Sequence, residues 1–483
     1  MFVYERPGFD FRAPLGHAAR VDAIPNTSGY RTEFMRDRDR VMYCGAFRRL
    51  AGKTQIYLTG TDDHKRNRLT HTLEVSQIAR TVSQALGLDC DLTEAIALGH
   101  DLGHAPFGHA GEQILHEIMV PNSKINITGS PMSGEELLES DERKKPLFGF
   151  KHNIQSVRIA AWIEDDYGKN GLNLTNYTLW GILHHSQVVY KKGRVNTAVT
   201  DPDYRNRYNV CCEIPGHPGK AAWSFEAFVV READEIAQWH HDLEDALRGG
   251  AMSEKEVCNT IERNLKDIMS AEDAAGLRRL KDKSVDRKYI ADISRIVVNT
   301  LVNRLIECSL HNLALLWKEI EAEIAKGIER EAARERFFVE HSGDEKEIQS
   351  AIKLSKMGEK ESKAEKNYPS VIREKIHHSR DVERMNAKGR YIIKKLFQAY
   401  FSHPQQLPDS IIIHYMVDIK QYASLQSAQQ KGMGAVREKL DKLLSNKNAY
   451  GVSEQIMLMR KICDHIAGMT DHYAMEEYND LYG

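Results

Sequence analysis

Long apolar runs are missing from this chain. No stretch approaches the roughly 18 apolar residues a membrane-spanning helix needs, so no membrane span is expected. Met1 to Pro7 also lacks a basic segment followed by an apolar one, so no secretory leader is expected. Cysteine usage is thin and unpatterned. Cys44, Cys90, Cys211, Cys212, Cys258, Cys308 and Cys463 are odd in number and scattered, without zinc-finger spacing. That usage fits a reducing, cytoplasmic setting. A charge excess of either sign is missing too, since 67 Lys and Arg face 69 Asp and Glu. No global positive field therefore points to nucleic acid as the main partner, although a local basic patch stays open. Proline is scarce, 13 in 483 residues, and strand-like stretches reduce to Gln55-Ile56-Tyr57-Leu58 and Val188-Val189-Tyr190.

What is present is helical rhythm. Val75, Ile78, Val82 and Leu86 recur along one helix face and stop at Gly87. Ile290, Ile293, Val297, Leu301 and Leu305 do the same in a longer segment running toward Trp317. Further helical patterns surround Ile392, Leu396 and Phe401, and a terminal segment runs from Arg460 to Tyr482. The chain reads as all-α with a few short strands. At 483 residues it can hold two or three average domains or one large helical body. Residues 121–148 and 191–220 read as loops or insertions, being rich in Asn, Ser, Gly and charge. The stretch 318–367 is dense in charge of mixed sign, which suits a solvated helix face followed by a linker.

One run concentrates chemistry. From His100 to Glu112, three imidazoles and two carboxylates (His100, Asp101, His104, His109, Glu112) are interrupted by Gly103, Pro106, Gly108 and Gly111. A neutral imidazole nitrogen and a carboxylate oxygen suit a borderline-to-hard divalent ion. More ligands are needed, and helical spacing supplies candidates. His71 shares a face with Val75, Ile78 and Val82, and His100 shares one with Leu92 and Ile96. Asp234 falls on a face with Val230 and Ala237, where a lone carboxylate is costly unless paired or on a metal. A core histidine at 71 and a core salt bridge at 234 are the plain alternatives. Together His71, His100, Asp101 and Asp234 form a His-His-Asp-Asp set that leaves positions open for water and substrate. His109 and Glu112, three apart at a helix start, would share a face, so the carboxylate could orient the imidazole. An ordinary surface His-Glu pair is the alternative.

This pattern resembles the HD-domain metal phosphohydrolases. Phe47-Arg48-Arg49-Leu50, Lys53-Thr54-Gln55, Arg68-Leu69-Thr70-His71 and His100-Asp101-Leu102-Gly103 through Pro106-Phe107-Gly108-His109 and Glu112 resemble the deoxynucleoside triphosphate triphosphohydrolases. Bacterial dGTPases are members of that family. Cys463-Asp464-His465-Ile466-Ala467-Gly468-Met469-Thr470-Asp471 is similar to the family's closing segment. The resemblance implies an HD-type helical core over 1–335, with its metal site between 71 and 234. Residues 336–483 would be a C-terminal helical region completing the pocket and the oligomer contacts.

The implied reaction is dGTP plus water to deoxyguanosine and inorganic triphosphate, with Mn²⁺ or Mg²⁺ as cofactor and Fe²⁺, Ni²⁺ or Co²⁺ as alternatives. By the same resemblance His109 and Glu112 are the catalytic dyad, and Arg68 contacts phosphate. His104 and His152 match histidines of the mammalian relatives and could contact phosphate or donate a proton, with a helix-cap role open for His152. Gln55 and Asp242 match the residues that hold the 3′-hydroxyl. The chain departs at Gln238, where the family usually has tyrosine, and at Glu235, which is lysine in the mammalian relatives. Arg390 or Arg460 could face a guanine or be ordinary salt-bridge arginines. His184-His185 has no spacing that compels a function, and both read as core or surface histidines. The family also implies a homo-oligomer, often a hexamer, and single-stranded DNA as an effector. Two other readings remain, an HD nucleotidase or phosphodiesterase cleaving another phosphate bond, and a nucleotide- or nucleic-acid-binding regulator on the same scaffold.

Overall fold

The computed structural model describes residues 7–24, 29–55, 66–119, 149–168, 170–186, 212–281, 286–343, 348–357, a few positions between 359 and 370, and 380–483 apart from 447–448. The strand candidates at 56–58 and 188–190, the insertion at 121–148 and most of 191–220 lie outside the described residues. Eighteen α-helices occur among the described residues. In chain order the first are α1 (Glu33–Tyr43), α2 (Gly45–Arg49), α3 (Arg68–Leu86), α4 (Cys90–Gly99), α5 (Gly108–Met119), α6 (His152–Arg158), α7 (Asn176–His184) and α8 (Phe225–Arg248). Then come α9 (Glu254–Leu265), α10 (Ala271–Leu280), α11 (Arg287–Ala325), α12 (Arg330–Glu340) and α13 (Arg380–Ser402). The last are α14 (Asp409–Asp418), α15 (Leu425–Lys431), α16 (Met433–Ser445), α17 (Val452–Gly468) and α18 (Asp471–Tyr482). No sheet forms among the described residues. Two isolated bridges, Thr54 with Asn67 and Glu213 with Ala221, are all the strand pairing seen there. No helix among them is long and apolar enough to cross a membrane.

Local chemistry explains the helices that matter most. Asn67 caps α3 by accepting from the Thr70 amide, and Gly87 ends it at φ 71, a left-handed position that favours glycine. Asp89 caps α4 by accepting from the amides of Asp91 and Leu92. Each such cap stabilises its helix by about 1 kcal/mol. The expected stripe of Val75, Ile78, Val82 and Leu86 is buried, and α3 packs on α4 while α8 crosses both. Part of the charged 318–367 stretch lies in helices. α11 runs through its first residues, and α12 buries Ala333, Phe337 and Phe338.

Two apolar cores result. The larger gathers Val75, Leu98 and Leu102 with α7, α8 and α11. The smaller gathers Ala105, Phe107 and the inner face of α5 with α13, α17 and α18. The run from His100 to His109 therefore crosses from one core into the other. Its polar residues are held at the seam.

Candidate active site

A cavity of about 320 Å³ opens at that seam. Gln55, Arg68, His71, Asp101, His104 and His109 line it, together with His152, Asp234, Glu235 and Gln238. Val382, Met385 and Asn386 of α13 close another side.

The four residues expected to hold a metal converge here. His71 Nε2 lies 3.0 Å from Asp234 Oδ1, and His100 Nε2 lies 3.5 Å from Asp101 Oδ1 and 3.8 Å from Asp234 Oδ1. His100 Nδ1 sits 2.6 Å from the Ala97 carbonyl, so Nδ1 carries the proton and Nε2 keeps its lone pair. That Nε2 is buried without a hydrogen-bond partner. A buried acceptor facing two carboxylates calls for a cation between them. The donor set therefore fits a divalent ion. Burial pushes the carboxyls of Asp101 and Asp234 up, but neighbouring imidazoles outweigh it and leave both below the usual range, Asp101 also helped by Arg68. Arg68 donates from Nη1 to Asp101 Oδ2 at 2.7 Å, which places this buried guanidinium against the ligand set as well as the cavity.

A support for His71 went unnoticed in the sequence. Its Nδ1 lies 3.3 Å from His241 Nδ1, and His241 Nε2 meets the Glu74 carboxylate. A proton on His71 Nδ1 and another on His241 Nε2 satisfy this chain, which leaves His71 Nε2 free for a ligand role. The signal was present as His240-His241 one residue before Asp242, yet nothing local linked it to position 71.

The second group of residues departs from expectation in its pairing. Glu112 Oε2 lies 2.9 Å from His152 Nδ1 but 3.8 Å from His109 Nδ1. The spacing of three does put His109 and Glu112 on one face, but the closer partner comes from another helix. His109 itself is largely exposed at the cavity mouth, with 70% of its side chain accessible. His152 is the first residue of α6, and the N-cap is Lys151 rather than His152. Its Nε2 lies 3.3 Å from His185 Nε2, and His185 Nδ1 donates to the Ile182 carbonyl at 2.6 Å. Both nitrogens of His152 therefore have hydrogen-bond partners. Burial lowers His185 to about 3, with His100 and His152 adding to it, so it stays neutral. Its sequence neighbour His184 is half-buried and stacks on Trp180. His104 stacks on His152 at 3.9 Å and lies 3.2 Å from Asp101, with its Nδ1 buried and unpartnered. Burial lowers the His104 imidazole well below its usual range, and Arg68 and His152 add to that. Burial raises the Glu112 carboxyl, but His152 and His109 outweigh it and hold it well below its usual range.

The three remaining positions form an amide chain. Gln55 donates to Gln238 Oε1 at 3.2 Å, and Gln238 donates to Asp242 Oδ1 at 2.9 Å. Gln238 thus stands between the two residues expected to share a hydroxyl. Gln55 Oε1 is buried without a partner beside the cavity. Neither candidate base reader lines the cavity. Arg390 pairs with Glu117 at 2.8 Å, and Arg460 is buried, donating to the Gly149 carbonyl at 3.3 Å.

Comparison with known proteins matches this geometry to named families. An HD domain covers residues 68–186, and a phosphohydrolase-associated domain covers 356–424 and 433–480. A deoxyguanosinetriphosphate triphosphohydrolase-like protein of Rhizobium leguminosarum is 30% identical over 453 residues, 94% of this chain and 89% of its own. One from Ralstonia pickettii is 30% identical over 483 residues, covering 98% and 96%. The chain belongs to the HD-domain deoxynucleoside triphosphate triphosphohydrolase family. A like-named protein of Leptospira interrogans is 29% identical over 458 residues, covering 94% and 90%. The HD-domain match takes in the stretch from Arg68 to His185, while Asp234 lies beyond it on α8. The phosphohydrolase-associated match supplies the α13 wall of the cavity and the start of α18.

Proposed function

We propose that the protein is a divalent-metal-dependent dNTP triphosphohydrolase, acting on dGTP to give deoxyguanosine and inorganic triphosphate. One observation carries the reading. The unpartnered His100 Nε2 sits among His71, Asp101 and Asp234 in the same cavity that holds Arg68, His104, His109 and His152. Mn²⁺ or Mg²⁺ held by His71, His100, Asp101 and Asp234 would supply Lewis-acid polarisation of a phosphate oxygen.

The chain's own groups account for the rest. Arg68 offers positive charge to the phosphates and pairs with Asp101, while His152 holds Glu112 in place. His109, exposed at the mouth and facing Glu112, delivers a proton to the departing 5′-oxygen. His104, with Nε2 toward Asp101 and a bare Nδ1, positions the attacking water. Gln55 and Gln238, backed by Asp242, offer both acceptor and donor to a sugar hydroxyl. A catalytic core over 1–335 with a pocket-completing region over 336–483, a cytoplasmic homo-oligomer and a single-stranded DNA effector belong to the same proposal. A salt-dependent binding titration tests the effector.

The test is incubation with each dNTP and NTP in Mn²⁺ or Mg²⁺, with all products identified. Deoxynucleoside and triphosphate, fastest from dGTP, is the expected result. Monophosphate plus pyrophosphate would instead mark an HD nucleotidase or phosphodiesterase.

A further inference from the structure

The turn that carries His109 is built from an unfavourable backbone. Phe107 has φ 62 and Gly108 has φ 60, so two consecutive residues are left-handed. For phenylalanine that conformation is unfavourable, and the surroundings must hold it. The C-terminal region does so. Asp471, the first residue of α18 and 1% exposed, accepts the Phe107 amide through Oδ1 at 2.8 Å. Its Oδ2 accepts the Thr54 amide at 2.9 Å and the Thr54 hydroxyl. Burial raises the Asp471 carboxyl, while its bonds to Thr54 and Phe107 pull the other way.

Each end of that bridge leads into the cavity. Thr54 precedes Gln55 and pairs with Asn67, and the Lys53 carbonyl accepts the Arg68 amide at 3.1 Å. One wall thus runs from Asp471 to Gln55 and to the start of α3, which carries Arg68 and His71. The other runs through Phe107 to His109. Two neighbours reinforce the join. Buried Lys53 donates from Nζ to the carbonyls of His104 and Ala467. A Cβ at Gly389 of α13 would lie 2.7 Å from the Phe107 side chain, so α13 lies directly on that ring.

We propose that Asp471 is a positioning residue that sets the spacing between the Gln55 wall and the His109 turn. The inference rests on the function proposed above for its catalytic consequence. It needs both carboxylate oxygens as acceptors. Asn, of the same shape, accepts at one oxygen and turns an N–H₂ group toward the other amide.

The experiment uses full-length metal-loaded protein carrying Asp471→Asn, Asp471→Ala, His109→Ala and the double change Asp471→Asn/His109→Ala. Hydrogen exchange of the 104–109 and 53–55 segments is followed alongside kcat, KM and metal content. Asp471→Asn should lower kcat about 10- to 100-fold, the cost of misplacing a group by roughly 1 Å, with KM within threefold and metal unchanged. Both segments should exchange faster. The double variant should lose less than the product of the two single losses, because Asp471 acts in part through His109. Multiplicative losses in the double variant, or unchanged exchange in the two segments, would overturn the proposal. Asp471→Asn carries the comparison if Asp471→Ala does not fold. If the wild type hydrolyses no dNTP, the function fails while exchange still decides whether Asp471 holds the turn.

Discussion

Gly103 stands where a single methyl group should misalign the site. A Cβ there would lie 2.2 Å from the Ser156 amide nitrogen and 2.3 Å from the His152 carbonyl oxygen. Ordinary contact begins near 3.4 Å, so in Gly103→Ala the start of α6 must retreat by about 1 Å. His152 opens α6, and its 2.9 Å bond to Glu112 and 3.9 Å stack on His104 cannot survive that shift. A displacement of that size costs about 100-fold in turnover, and the overpacking costs about 1–3 kcal/mol of stability. His71 and Asp234 stand on α3 and α8 and should be spared, whereas His100, whose carbonyl accepts from Ser156 Oγ at 2.8 Å, should feel the shift. The assay is kcat on dGTP at saturating Mn²⁺, with bound metal measured by mass spectrometry. The expected outcome is a kcat at or below that of His152→Ala, with any loss of metal tracing to His100 rather than to His71 or Asp234. A Gly103→Ala enzyme within threefold of wild type would refute the reasoning.

The two groups of residues should separate in a second experiment. His71→Ala or Asp101→Ala should abolish metal binding and hydrolysis together, whereas His109→Ala should retain metal and lose about two to four orders of magnitude in turnover. Loss of metal in His109→Ala would contradict that division. A third prediction concerns stability away from the site. Glu226 is fully buried, accepts the amides of Ala13 and Asp89 through Oε1, and is pushed by burial from 4.5 to about 7. A raised carboxyl binds a proton more tightly when folded, so its stabilising contribution is full below pH 4.5 and lost as pH rises through 7. Glu226→Gln stays neutral and should gain on the wild type by an amount growing to about 3 kcal/mol above pH 7. Thermal midpoints at pH 5 and pH 8 check it, and an equal difference at both would contradict the assignment.

Much of this was legible in the residues because it is local. The apolar stripe of α3, its stop at Gly87, the inward His71 and the adjacent His100-Asp101 follow from a 3.6-residue repeat and turn chemistry. The pairing of Glu112 with His152, 40 residues away, does not. Spacing placed His109 beside Glu112 but could not show that a second imidazole would stand closer. His185, His241 and Asp471 act across 33, 170 and 364 residues, where no periodicity reaches. The Gln238 departure was visible, yet its bridge between Gln55 and Asp242 is a property of packing.

The central claim is water attack at the α-phosphorus within the His71, His100, Asp101 and Asp234 site. It is tested most directly by hydrolysing dGTP in ¹⁸O-enriched water with Mn²⁺, following the phosphate products by ³¹P NMR and the deoxyguanosine by mass spectrometry. The account predicts intact triphosphate carrying the label on its former α-phosphorus, and unlabelled deoxyguanosine. Label in monophosphate, pyrophosphate or the deoxyguanosine 5′-hydroxyl would contradict it.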